Sequence, residues 1–187
     1  MKILMLIILL SSNVFAFGND FKWWNKLKQI KPLQTNKQQV ESLLGISTEK
    51  GTRLTYYEIS EHHVSVEYAD GYCNEFEKGE WDAPNGTVIR YDVKIFAGGD
   101  YPALKDFAKF AKINLNGFSI KKYKNVNEVD TPSMIPYNYD NKKLGIFLEG
   151  FKRGYENEDG SLRVGKVIYL RGISVYPPEN SKYPKCN

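Results

Sequence analysis

Apolar positions along this chain repeat first at helical and then at strand spacing, and they do so twice. In Pro32–Gly45, Thr35 and Gln38 have capping-box spacing, and Val40, Leu43 and Leu44 fall on one helical face. Gly45 then supplies a residue able to take the left-handed conformation that ends a helix. Two turns do not persist alone in water, so this face predicts burial against the strands that follow. Thr52–Ile59 and Val64–Ala69 read as a hairpin, with Val64, Val66 and Tyr68 alternating with His63, Ser65 and Glu67. Cys73–Gly86 is a long loop. Thr87–Phe96 is the clearest strand, with Ile89, Tyr91, Val93 and Ile95 on one face and Arg90, Asp92 and Lys94 on the other.

The second stretch opens at Gly98-Gly99. Asp100 is placed to cap a helix that tolerates Pro102 in its first turn and carries Leu104, Phe107, Ala108 and Ala111 at helical spacing. Asn116-Gly117 ends that unit. Strands follow at Phe118–Tyr123, Met134–Tyr139, Leu144–Glu149 and Gly165–Tyr176, with a polar connection at Lys124–Ser133 and a turn at Asn157–Gly160. In the last strand the alternation changes phase between Leu170 and Ile173, which predicts a β-bulge at Gly172.

The strands keep a constant offset of about 80 positions, as their alternating periodicity allows. Tyr57 aligns with Tyr137, Ile59 with Tyr139, Val64 with Leu144, Val66 with Ile146, Val88 with Ile168, Val93 with Ile173 and Ile95 with Val175. The helices do not share that offset. The expected fold class is α+β: antiparallel sheet with two short helices, as a tandem of a helix-plus-strands unit over residues 17–98 and a second over 99–187 packed with it.

The first sixteen residues change the setting. Lys2, the apolar run Ile3–Leu10 and the Val14-Phe15-Ala16 site have the form of a cleaved export signal. The run is too short to span a bilayer, and no Cys lies near Ala16 to take a lipid. The leader holds one Lys and no acid, so the net charge of +4 for the whole chain falls by one on its removal. That is too mild for nucleic acid, which calls for a concentrated basic patch. In a periplasmic or secreted setting the only two cysteines, Cys73 and Cys186, are expected to pair, the alternative being two free thiols. Trp23 and Trp24, set among Lys22, Lys26, Lys28 and Lys31, read either as a cap packed on the sheet or as a membrane-surface anchor.

Chemistry is sparse. His62-His63 is the only histidine pair, and neighbours on a strand point to opposite faces. Glu75, Glu77, Glu80 and Asp82 lack calcium-loop spacing. No phosphate loop, dinucleotide fingerprint, nucleophile elbow or Cys–His context is present, so no catalytic, metal or cofactor residue is assigned and no cofactor is expected. Aromatics favour interfaces, which makes Tyr56, Tyr72, Trp81, Tyr101 and Tyr155 the candidate interaction surface.

Pro32-Leu33, Thr35, Val40-Glu41, Leu43-Leu44-Gly45, Val64, Val66, Tyr68, Gly71, Cys73, Trp81, Pro84, Val88 and the closing Cys186 together resemble a group of uncharacterised exported bacterial proteins. The helix ending Val-x-x-Leu-Leu-Gly is similar to that of SmpA/OmlA-type outer-membrane-assembly lipoproteins, although this chain is longer and has no lipidated Cys. The tandem helix-plus-sheet arrangement resembles the β-lactamase inhibitor protein fold, whose concave sheet binds a partner. Fold analogy does not fix function. The expected function is a non-enzymatic module of the cell envelope or exterior that binds another protein. The alternative is an envelope hydrolase built on His62, His63 and nearby acids, which predicts a polar cleft converging on them.

Overall fold

The computed structural model describes residues 21–51, 53–71, 73, 81–95, 101–122, 134–181 and 186. The leader, Tyr72, Glu75, Glu77, Glu80, the Gly98-Gly99-Asp100 junction and the connection from Tyr123 to Ser133 lie outside them. Among the described residues three α-helices, α1 (Lys22–Leu27), α2 (Lys37–Leu44) and α3 (Leu104–Ala111), accompany eight strands: β1 (Glu49–Lys50), β2 (Leu54–Ile59), β3 (His62–Tyr68), β4 (Val88–Lys94), β5 (Ser119–Lys122), β6 (Met134–Asn141), β7 (Ile146–Glu156) and β8 (Leu162–Val175). All eight form one antiparallel sheet in the order β1-β2-β3-β4-β8-β7-β6-β5. The α+β expectation holds, with one helix more than the two expected.

Each half is a meander, and the halves join through their last strands, β4 and β8. Val93 lies opposite Ile173 there, the pair that the repeat offset relates. The offset fails between them. Leu144 sits in the turn after β6 and is exposed, whereas Leu148 occupies the place of Val64, since each faces one member of the Val93–Ile173 pair. Half of the shift arises before the turn, where Tyr139, opposite Leu148, takes the place of Tyr57, opposite Val64. The other half arises in the turn itself: Ser60 and Glu61, both at positive φ, close β2–β3 in two residues, while β6–β7 needs four.

Helix ends also differ from the sequence reading by small steps. The capping box on α2 is Asn36 with Gln39, not Thr35 with Gln38. Thr35 is buried, and its hydroxyl accepts from the Lys31 N–H at 2.8 Å. Gly45 ends the helix at a positive φ of 88°, but its ψ of −156° is extended rather than the left-handed helical conformation expected, a combination open to glycine. Ala103 rather than Asp100 is the residue before α3. Pro102 stays outside the helix because its carbonyl accepts from Leu170, while Ala103 bridges Tyr169. Asn116-Gly117 forms a short 3₁₀ turn, α3 having already ended at Lys112 in the left-handed region. The bulge in β8 falls at Arg171, one residue from Gly172, between the pairs Glu149–Gly172 and Gly150–Leu170.

One core runs through both halves. Directly opposed residues in antiparallel strands point the same way, so Tyr57, Val64, Val93, Ile173, Leu148 and Tyr139 form a single buried row beneath the helices. Phe107 on α3 meets Phe21, Trp23 and Trp24 with ring centroids 5.4, 6.0 and 5.3 Å away. Trp23 and Trp24 are buried in this layer, the packed-cap reading rather than a membrane-facing one. Among the described residues no helix is long and apolar enough to cross a membrane.

The core tyrosines make stability pH-dependent at the alkaline end. Tyr91 donates to the Leu27 carbonyl at 3.1 Å, and the hydroxyls of Tyr57 and Tyr68 lie 3.1 Å apart. Burial raises the pKa of Tyr57, Tyr68, Tyr91 and Tyr139 above the ordinary phenol value. A raised folded-state pKa contributes stability that is complete below the unfolded value of about 10 and is lost as pH rises through the folded values. The urea midpoint is therefore expected to hold up to about pH 9 and to fall by about pH 11. An unchanged midpoint would contradict the burial of these phenols.

Candidate functional site

Among the described residues the three helices all lie on one face of the sheet. On the other, Tyr56, Ser65, Asp92, Ser174, Phe147, Asp140 and Ser119 are opposed across seven strands and form one transverse row. A neighbouring row holds Glu58, His63, Lys94, Gly172, Glu149, Asn138 and Lys121. Phe147 is the apolar exception in a polar pattern.

A strap crosses one end of this face. After β8, Tyr176 donates its N–H to the Gly145 carbonyl at 2.9 Å, and Glu179 donates to the Lys142 carbonyl at 3.1 Å. The approach at Gly145 is close enough that a Cβ there would meet the Tyr176 carbonyl oxygen at 2.0 Å, and its φ is +65°. Only glycine fits both. Beyond the strap, Cys186 is bonded to Cys73 with Cα atoms 5.4 Å apart, as the cysteine count predicted. The Cys73 N–H donates to an Asp82 carboxylate oxygen at 3.2 Å. This ties the chain's end to the loop that carries Trp81. That loop rests on a small apolar cluster of Leu33, Ala69, Ala83 and Ile89, which Trp81 joins.

Strap, loop and sheet enclose a cleft of about 770 Å³, within the range of ligand-binding pockets. Phe147, Ser174 and Arg90 form its base, Trp81 and Pro177 contribute apolar wall, and Asp140, Lys142 and Glu179 bring charges of both signs. Arg90 is held by two N–H contacts to one Asp92 oxygen, at 2.7 and 3.0 Å, and reaches Ser174 at 3.4 Å. Tyr176 donates its hydroxyl to Asp140. Burial first, and then this carboxylate, raise its pKa, so it remains a donor at neutral pH. A shallower hollow of about 210 Å³ shares Trp81, Arg90, Tyr176 and Pro177 and continues toward the Arg53–Glu67 ion pair. The two together make an elongated groove.

No protein-family model, curated protein or solved structure matches the chain. The site therefore rests on its own geometry.

The predicted aromatics do not gather into one surface. Tyr56 is exposed on the helix-free face and Trp81 walls the cleft. Tyr101 is half-buried edge-on against Phe151 at 5.0 Å, and Tyr155 is exposed on the β7–β8 hairpin near its turn. Tyr72 lies outside the described residues. His62 sits on the helix side, edge-on to Trp23 at 4.8 Å, while His63 is on the other face opposite Lys94. The cleft does not converge on either histidine. Among the described residues no three His, Cys, Asp or Glu side chains are grouped to hold a metal. Sequence reasoning missed Arg90, Asp140, Phe147 and Tyr176. The one available signal was Leu144–Leu148, where Ile146, Phe147 and Leu148 run consecutively and the alternation of a half-wet strand breaks at Phe147.

Proposed function

We propose that this is an exported, non-enzymatic interaction module of the cell envelope or exterior, which engages another protein through the helix-free face of its sheet. The observation that carries the reading is the strapped cleft. A merely solvated sheet face needs no covalently anchored strap and no inward-facing Phe147, whereas recognition sites combine an apolar floor with a few placed polar groups. Export is supported by the leader pattern and by a disulfide, a bond that persists in oxidising compartments. The mirrored strand order, with β4 against β8 and Val93 opposite Ile173, supports an origin by tandem duplication. The test is cross-linking in the native envelope followed by capture of the tagged protein and mass spectrometry. One reproducible protein species is expected. Recovery of nothing above background would overturn the protein-partner reading.

A further inference from the structure

We propose that the cleft binds a neutral, polyhydroxylated ligand, an oligosaccharide segment, laid along the groove between Trp81 and Asp140. The inference rests on the reading of this face as a recognition surface and names what the cleft itself takes.

Charge is the first argument. Arg90 and Lys142 supply two positive groups to the lining and Asp140 and Glu179 two negative ones. An anion drawn to the first pair is repelled by the second, and a cation meets the reverse. A neutral ligand escapes both penalties and still finds strong partners, because hydrogen bonds to ionised side chains exceed neutral ones.

The pattern of donors and acceptors is the second. Asp140 and Glu179 only accept, Arg90 and Lys142 only donate, and Ser174 does both. A sugar hydroxyl is likewise donor and acceptor at one atom, so a ring edge carrying several can satisfy both kinds of group. The key polar groups are also held in place before any ligand arrives: Arg90 by Asp92 and Ser174, Asp140 by the Tyr176 hydroxyl. Preorganisation of this sort lowers the ordering cost of binding.

Shape is the third. Trp81 and Phe147, both half-buried in the lining, supply apolar surface for the C–H side of a sugar ring while the charged groups of the lining meet its hydroxyls. The continuation past Arg90 toward Arg53 and Glu67 gives length for more than one ring. An extended peptide needs a free strand edge for main-chain pairing. Here the cleft lies over β4, β8, β7 and β6, interior strands of the sheet that are paired on both sides, so side chains carry the recognition.

The test uses the purified, oxidised protein against malto-, cello- and chito-oligosaccharides, with a neutral and an acidic peptide series beside them, by calorimetric titration. Binding of at least one saccharide series is expected, with little dependence on salt because the ligand is uncharged. Phe147→Ala should weaken it about tenfold or more. Glu179→Gln, on the exposed strap, should weaken it several-fold without touching the core, and so serves if the Phe147 variant melts early. Binding of peptides only, binding that falls steeply with salt, or saccharide binding indifferent to both substitutions would overturn the assignment. A protein partner captured from the envelope together with no saccharide binding would sink this inference alone. Saccharide binding with no captured protein would instead sink the protein-partner reading and leave this one standing.

Discussion

Replacing Cys73 and Cys186 with serine is expected to lower the unfolding free energy by about 4–5 kcal/mol. The bond spans 113 residues. In the chain-entropy view, closing a loop of that size removes much of the freedom of the unfolded chain, which sets the figure. For a domain of this length the thermal midpoint should drop by about 10–15 °C. The loss acts mainly through the unfolded state, so the sheet and helices should keep their circular-dichroism signature below the new midpoint. Paired urea titrations of the oxidised wild type and the double-serine variant measure it. A difference under about 1 kcal/mol would mean that the unfolded chain is already held compact or that the bridge strains the folded state.

Phe107→Ala should cost about 3–5 kcal/mol. Its ring is fully buried and is the common neighbour of Phe21, Trp23 and Trp24. Truncation therefore loses transfer free energy and leaves a cavity between α1, α3 and the sheet, where rigid indoles collapse poorly. Phe110→Ala, three residues along the same helix, is the internal comparison: Phe110 is 39% exposed and should cost under about 1.5 kcal/mol. Equal losses at the two positions would contradict the placement of α3. The buried tryptophans provide the readout, since opening this layer shifts their fluorescence.

What could be read from the sequence follows from how local each cause is. The alternation in Val64–Tyr68 and Ile89–Ile95 depends on one wet and one dry face, and both strands stand where that pattern put them. The disulfide was legible from two cysteines and a leader. Caps were less so. Thr35 and Asn36 are both competent N-caps, and the choice between them is made by long-range pairing: Thr35 accepts at its carbonyl from the Val88 N–H, and Leu33 donates to the Val88 carbonyl. That pairing runs on through Asn36, which bridges Thr87, so the chain turns helical only at Lys37 and Asn36 is the cap, while the Thr35 hydroxyl is taken by the Lys31 N–H. Asp100 lost its expected role for a related reason, since Pro102 and Ala103 are engaged with β8.

The cleft was barely legible at all. Its residues come from positions 81, 90, 140–147 and 174–181 and meet only because β4 pairs with β8, a contact between the two halves of the chain that no local pattern announces. Aromatic residues in loops were a poor guide: Tyr101 is taken up by Phe151 and Tyr155 stands apart, while Phe147, on a strand, reached the site. Topology assembled the cleft, and local composition did not announce it.

The measurement that bears most directly on that surface is site-specific photo-cross-linking in the native envelope, with a photoreactive residue placed at Phe147 in one variant and at Lys109 on the solvent side of α3 in another. Adducts forming from position 147 and not from position 109 are the result this account predicts. Equal labelling from both, or labelling from position 109 alone, would contradict the assignment of the helix-free face as the binding face.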